Sequence, residues 1–431
     1  MITGWLEALA RRESYRFYHR LAPPDLRLIK NELTKRHGED KKIALYIHIP
    51  FCRTLCPYCS FVRYPYEESA AWAYMKTLRK ELDLYLGLIR NTGVHIQSAY
   101  FGGGTPTLLT YPSLLDLINE LRVHLKVKEI SVETNPNDLD PQKIKDLAES
   151  GVSRLSIGVQ SFSDEILHNL GRSAHHDSES AKRAVILTQG KFETVNVDMI
   201  WDLPNQDQAH LEKDIQTIFE LDVDQVTFYP IVPSPNKKTL MERQFHQINQ
   251  GLWQKNHRHR QAYEFIREAL GKRYVPSTVW CFSKPGILAI DEYAIDYEEY
   301  IGLGCGSISI INGYYTINTF PLDKYHQFLA RGELPIVRSR KLSGWELSNY
   351  RLLTGLFGVR INKQRIFRHF PGHREKELRW RLALFKKLGC LAESSNLFYL
   401  TPKGMYQVDL LMRQIFAGMN SLREVCLEGG I

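Results

Sequence analysis

Hydrophobic positions from Lys41 to about Pro230 fall into two alternating kinds of run, short β-rich stretches and longer amphipathic ones. Ala44–Ile49 reads as the first strand, with Glu67–Leu86 as its helix. Ser98–Phe101 is the second strand, followed by a helix over Tyr111–Leu125. Glu129–Glu133 is the third, and Asp140 (N-cap), Pro141 (first turn) and Gly151 (stop) delimit its helix. Arg154–Gly158, Val195–Ile200 and Gln225–Pro230 complete six strands. Strands separated by helices pair in parallel through right-handed crossovers. Six such units predict an α/β fold, a partial TIM-like (β/α)6 barrel; a doubly wound sheet is the alternative that pattern alone leaves open.

The flanks differ. Residues 1–40 are basic and aromatic, and Trp5, Leu6, Leu9, Phe17, Tyr18 and Leu21 lie at roughly helical spacing. This predicts a lead-in helix packed on the main domain, with a transient membrane-surface contact as the alternative. Arg36–Asp40 is a polar link. The barrel and a less regular extension occupy 41–335, with a turn at Val232-Pro233-Ser234-Pro235. The run Lys255–Arg260 reads as a solvated helix face, not as a metal site at His257 and His259. Residues 336–431 predict a small helical, winged-helix-like C-terminal domain. Its charge is not gathered in one block, so it reads as a substrate lid and not as a nucleic-acid binder.

Composition narrows this little. The chain has 431 residues and a formal net charge of +8, mild for its length. Seven cysteines, three of them clustered, argue against a disulfide framework and for a reducing, cytoplasmic setting. No apolar run reaches the roughly 20 residues a bilayer span needs.

The chemistry is concentrated where the barrel pattern places active sites, at the C-terminal strand ends. Strand one runs into Cys52, Cys56 and Cys59, spaced CxxxCxxC. Three thiolates on one loop suit three irons of a 4Fe-4S cubane, leaving the fourth iron open to a bidentate small molecule. Structural zinc would want a fourth nearby ligand, and His48 lies inside the strand pattern. Strand two ends in Gly102-Gly103-Gly104-Thr105-Pro106, whose backbone amides approach a small ligand closely. Glu133 ends strand three and suits ribose hydroxyls or an ammonium group. Gln160 ends strand four, Asp198 sits on strand five, and Arg172 lies twelve residues beyond Gln160. A guanidinium there pairs bidentately with a carboxylate. Tyr58, before the third cysteine, is placed to pack on an adenine.

Together these stretches resemble the radical S-adenosylmethionine (SAM) superfamily, in its oxygen-independent coproporphyrinogen III oxidase (HemN-type) branch. The matching runs are Tyr46–Cys52, Phe101–Thr107, Arg154–Phe162, Asn196–Pro204 and Gly302–Ser309. The resemblance covers nearly everything after residue 41 and implies a radical SAM barrel, a 4Fe-4S cluster on Cys52, Cys56 and Cys59, and two SAM molecules. By position, Tyr46, Gly103, Glu133 and Ile308 fall at first-SAM sites. Tyr58, Gly104, Thr105, Gln160, Arg172, Asp198 and Pro230 fall at second-SAM sites.

Three departures steer the expected reaction. Phe61 stands where the decarboxylating oxidases carry a further cysteine, and Asp202-Leu203-Pro204 replaces their Gly-Leu-Pro. The region Ala289–Tyr300 has no histidine where the haem-chaperone relatives carry a haem motif. The closing stretch, Gly404 to Arg423, is most similar to the radical SAM C-methyltransferases. The sequence-based expectation is methyl transfer to an sp2 carbon of a planar hydrophobic substrate, with menaquinone as the candidate. In it, a 5′-deoxyadenosyl radical from the first SAM takes hydrogen from the methyl group of the second. Tyr229, Tyr300 and Cys305 are the expected substrate wall. Coproporphyrinogen III oxidation and haem carriage are the alternatives. A flavodoxin, ferredoxin or reductase is the expected electron donor, and the expected oligomeric state is a monomer.

Overall fold

Six parallel strands carry the apolar runs of the first half of the chain, in a computed structural model that describes residues 2–36, 41–109, 111–203, 205–232, 252–287 and 297–430. They are β1 (Lys41–Ile49), β2 (Val94–Gly103), β3 (Glu129–Thr134), β4 (Arg154–Gln160), β5 (Thr194–Trp201) and β6 (Gln225–Pro230). Each pairs in parallel with the next, in registers such as Tyr46 with Tyr100, Glu133 with Ser156, and Asp198 with Thr227. Helices cover the crossovers, so the strands are buried nearly throughout, as in β4, where only Gln160 is not buried. The third helix, Pro141–Ser150, shows how local chemistry sets the bounds. The Asp140 carboxylate accepts the Lys143 amide, Pro141 opens the first turn, and Gly151 closes it at φ 97°.

The sheet extends beyond these six strands. On one side β6 pairs antiparallel with β8 (Cys281–Ser283), which pairs with β7 (Val275–Pro276). On the other, β9 (Tyr300–Leu303) lies parallel to β1, and β10 (Ile308–Ile311), β11 (Tyr314–Asn318) and β12 (Ile336–Lys341) follow as an antiparallel meander. The result is a mixed twelve-stranded sheet in the order β12-β11-β10-β9-β1-β2-β3-β4-β5-β6-β8-β7. The Gly302–Gly306 segment therefore turns β9 into β10. Gly302 packs so tightly that a Cβ there would lie 2.1 Å from the Ile308 carbonyl oxygen.

One buried carboxylate fixes that turn. Glu81 accepts the Gly304 amide at 2.7 Å, the Asn318 side-chain amide at 2.6 Å and the Tyr325 hydroxyl at 2.6 Å. Burial, only partly offset by these donors, pushes its carboxyl up to about 7.

The helix Ile2–His19 packs along the long C-terminal helix Pro402–Glu428. Arg11 donates to Gln414 at 3.1 Å, and a Cβ at Gly418 would lie 2.1 Å from the Ser14 hydroxyl. The rings of Phe17 and Tyr18 meet Tyr315 edge-on. The C-terminal region is helical around a small antiparallel sheet of Arg360–Asn362, Leu397–Leu400 and Leu391–Glu393. Residues 37–40 of the expected polar link, most of the 232–235 turn and most of the histidine-free 289–300 stretch lie outside the described residues, as does Pro204. No helix among the described residues is long and apolar enough to cross a membrane.

Candidate functional site

The three cysteines lie on a loop that leaves β1 at Pro50 and returns at Tyr64. A short parallel pair closes it: the Tyr64 amide donates to the Pro50 carbonyl at 2.6 Å and the Tyr66 amide to the Cys52 carbonyl at 2.9 Å. His48 props the loop from inside. Its Nε2 meets the Val62 carbonyl at 2.9 Å and its Nδ1 the Tyr46 hydroxyl at 3.0 Å. Both ring nitrogens are thereby engaged, so it acts as a strut and not as the fourth ligand of a zinc site, and burial brings its pKa down to about 4.

The glycine run is stitched to this loop. The Gly104 amide donates to the Ile49 carbonyl at 2.7 Å and the Thr105 amide to the Phe51 carbonyl at 2.8 Å. The Gly103 amide donates to Glu133 at 3.1 Å. These three amides are thus used within the protein. Absence of a side chain is required here: a Cβ at Gly104 would lie 2.5 Å from the Phe51 oxygen, and Gly103 has φ 115°.

Two groups of the sequence-selected residues emerge. In the first, Glu133 accepts the Tyr100 hydroxyl at 2.8 Å, and the Tyr46 and Tyr100 rings stack 6.2 Å apart. Tyr46 is in register with Gly302, which packs on Ile308. In the second, Arg172 is the centre. Its Nη2 donates to Asn135 at 2.7 Å and to the Gly158 carbonyl at 2.8 Å, and its Nη1 to the Cys56 sulfur at 3.3 Å. Asn135 in turn donates to the Thr105 hydroxyl at 2.7 Å. Tyr58 packs on an apolar cluster of Ile166, Leu170, Ile200, Leu203 and Ile231 beside buried Pro230. Asp198 is not tied to Arg172: it accepts Ser156 and Asn196, each at 2.8 Å.

Gln160 stands in the left-handed region at φ 73°, a conformation that costs a non-glycine residue on the order of 1–3 kcal/mol. Asp214 holds that strand end. Its buried carboxylate accepts the Phe162 amide at 2.6 Å and the Ser161 hydroxyl at 3.1 Å. Burial outweighs these donors and pushes it from 3.8 up to about 7. The unfolded chain gives up this proton near 3.8 and the folded one near 7, so the folded state binds more protons in between. Stability is expected to fall as pH rises from about 4 to about 7 and then to level off. Urea midpoints across that range should show the slope, and an Asp214→Asn variant should reduce it, leaving the share of Glu81, which is raised over the same range. An unchanged slope in the variant would refute the assignment.

Sequence reasoning missed Asn135 and His175. The His175 Nε2 lies 3.4 Å from the Cys56 sulfur. An Asn-Pro at a strand end offered a weak signal for the first; nothing in the local pattern marked the second. The Lys255–Arg260 expectation fails at one position. His257, Arg258 and Arg260 are exposed, but His259 is buried, with Nε2 2.9 Å from Asp409 and its ring stacked on Trp201 at 4.5 Å. Arg413 donates to His259 and, at 2.9 Å, to Asp202. A face that is polar in sequence is turned inward here because two carboxylates and a guanidinium meet it. Cys305 is fully buried against Tyr74 and is not wall-forming; burial raises its thiol to about 12.

Three thiols on one loop are the donor set a cubane takes, and the fold prepares them unequally. Cys52 and Cys59 are raised, chiefly by burial, Cys52 to about 12. Burial also opposes charge on Cys56, but the His175 hydrogen bond and Arg172 bring it down to about 6, a thiolate at neutral pH. Among the described residues no three His, Cys, Asp or Glu side chains surround a single-ion position. A cubane asks for something else, one thiolate on each of three irons. The Arg172 Nε is buried without a hydrogen-bond partner, a donor left over beside the loop.

The family model of the radical SAM superfamily matches residues 46–218. The haem chaperone HemW of Bacillus subtilis is 28% identical over 84% of this chain and 96% of its own length. HemW of Escherichia coli strain K12 is 31% identical over 62% of this chain and 69% of its own. The chain belongs to the radical SAM superfamily, in its HemW- and HemN-like family. The solved structure of coproporphyrinogen III oxidase (HemN) from Escherichia coli superposes on this radical SAM chain with a TM-score of 0.74. It is 21% identical, with 92% of this chain and 94% of that one covered. Membership implies a 4Fe-4S cluster and SAM. The expected methyltransferase branch finds no support in these comparisons, and the two alternatives fit them better.

Proposed function

We propose that this chain is a radical SAM enzyme acting on a tetrapyrrole of the haem series, by oxidation of a propionate side chain as in oxygen-independent coproporphyrinogen III oxidase. The observation that carries the reading is the convergence of Arg172 on Cys56, Asn135 and Gly158, together with a sequence relationship to haem-related proteins that runs through the whole barrel. When bound, the reduced cluster supplies the electron that cleaves SAM and generates the carbon radical.

The chain's own residues place and screen. Cys52, Cys56 and Cys59 would hold the cluster. Tyr46, Gly103, Glu133 and Ile308 would seat the SAM cleaved there. Tyr58, Gly104, Thr105, Gln160, Arg172, Asp198 and Pro230 would seat a second SAM, Arg172 offering its spare Nε–H to an anionic group. The apolar cluster around Tyr58 excludes water, which protects a radical from side reactions. A flavodoxin, ferredoxin or reductase would be the one-electron donor.

Haem carriage is the second reading, favoured by the HemW match over 96% of that relative. One experiment separates the readings. Anaerobically reconstituted protein, with a one-electron donor to reduce the cluster and a one-electron acceptor for the electron released with carbon dioxide, is given methyl-deuterated SAM with coproporphyrinogen III, haem or menaquinone in parallel. Carbon dioxide release with a vinyl-bearing porphyrinogen and 5′-deoxyadenosine is expected. Stable haem retention without SAM cleavage would replace the enzyme with a carrier. Deuterium in the quinone would restore the methyl-transfer expectation and overturn the proposal.

A further inference from the structure

Two guanidinium groups outside the SAM set hold the cysteine loop by its carbonyls. Arg63 donates through Nη1 to the Cys59 carbonyl and, at 3.4 Å, to that of Phe61, and through Nη2 to the Cys56 carbonyl at 2.6 Å. Arg423 arrives from the C-terminal helix. It donates to the Ser60 carbonyl and, at 3.2 Å, to Asn420, with its guanidinium over the Phe61 ring, 5.5 Å from the centroid. Four carbonyls between Cys56 and Phe61 are thereby pinned, one arginine coming from the loop's own exit and the other from the far end of the chain.

The charges have little to balance them. Arg423 is buried, and among the described residues neither it nor Arg63 forms an ion pair with a carboxylate; their partners are carbonyls and the Asn420 side chain. A buried cation without a counter-ion is costly, and charged groups taken out of water are retained when they are paired. A 4Fe-4S core together with its three thiolates would be net negative and would supply that missing countercharge. Reduction adds one more negative charge to the cluster. Nearby positive charge and hydrogen bonding are among the features that set the potential of such clusters.

We propose that Arg63 and Arg423 are positioning residues for the cluster, clamping the Cys56–Phe61 loop through its carbonyls and favouring the reduced state through two adjacent positive charges. This rests on the cluster and holds for either tetrapyrrole reading.

The test is a potentiometric titration of the anaerobically reconstituted full chain, with the reduced cluster followed by electron paramagnetic resonance. Arg423→Gln and Arg63→Gln should each shift the midpoint to lower potential. Arg423→Lys, which keeps the charge, should stay near wild type. Glutamine variants with full iron and sulfide content and an unmoved midpoint overturn the proposal. Where a glutamine variant folds, as judged by circular dichroism, yet holds its cluster poorly, iron loss to a chelator becomes the readout. Loss should be faster in Arg423→Gln than in Arg423→Lys, and equal rates overturn the clamp. If Arg423→Gln does not fold, Arg63→Gln carries both readouts.

Discussion

A Cys56→Ser variant, reconstituted without oxygen, is expected to lose its iron and to cleave SAM no faster than background. Cys56 is the thiol the fold prepares most fully: buried, hydrogen-bonded by Arg172 at 3.3 Å, and held to about 6 by His175 and Arg172 against burial. Serine offers a hydroxyl far too weakly acidic to replace it. Changes in groups that merely orient a ligand cost about 10–100-fold in metal affinity, and loss of a ligand should exceed that. The matched control is Cys390→Ala, a buried thiol near the Leu388 carbonyl in the C-terminal region, whose iron content should match wild type. Iron and sulfide analysis with a chromatographic assay for 5′-deoxyadenosine checks both. Normal cluster content in Cys56→Ser would remove Cys56 from the ligand set.

Glu81→Ala is the largest expected loss of stability. It strips the acceptor from Gly304, Asn318 and Tyr325, three donors in a buried setting. Buried polar groups left unpaired cost about 1–3 kcal/mol each, which gives about 3–9 kcal/mol for the three. Asn318 also donates to the Gly304 carbonyl and to Ser307, at 3.0 Å each, so the lower half of that range is expected. Glu81→Gln keeps the volume and one carbonyl acceptor and should lose less. Chemical unfolding followed by circular dichroism reads both. A loss under about 1 kcal/mol in the alanine variant would show that the β9–β10 turn does not depend on this carboxylate.

The strand-and-helix alternation was legible because its signals are local. Asp140, Pro141 and Gly151 act within one helix, and the residues they bound are those of the structure. The strand ends were legible for the same reason, since a parallel barrel collects them on one rim whatever the loops do. What escaped was set by contacts distant in sequence. His259 sits in a polar run and is buried because Asp409, 150 residues away, meets it. His175 approaches Cys56 across 119 residues. The amides of Gly103 and Gly104 are spent on Glu133 and the Ile49 carbonyl, a strand-closing use that pattern does not distinguish from facing a ligand. The reaction was the least legible part. Phe61 and Asp202 mark departures from one activity without naming another. The likeness in the closing helix follows residues such as Arg413 and Arg423, which turn to Asp202 and the Ser60 carbonyl.

The C-terminal helix also bears on the order in which the protein is made. Arg423 reaches the Ser60 carbonyl over a separation of 363 residues, and Arg413, about 15 Å along the same helix, reaches Asp202. During synthesis the barrel strands emerge long before either arginine, and N-terminal units fold first. The cysteine loop is therefore exposed and incompletely braced until the last helix docks. Metal loading on a nascent chain would meet a loosely held thiol set, and the finished site appears only after translation has passed Arg423. A chain truncated before this helix lacks the brace on the Ser60 carbonyl and the guanidinium over the Phe61 ring.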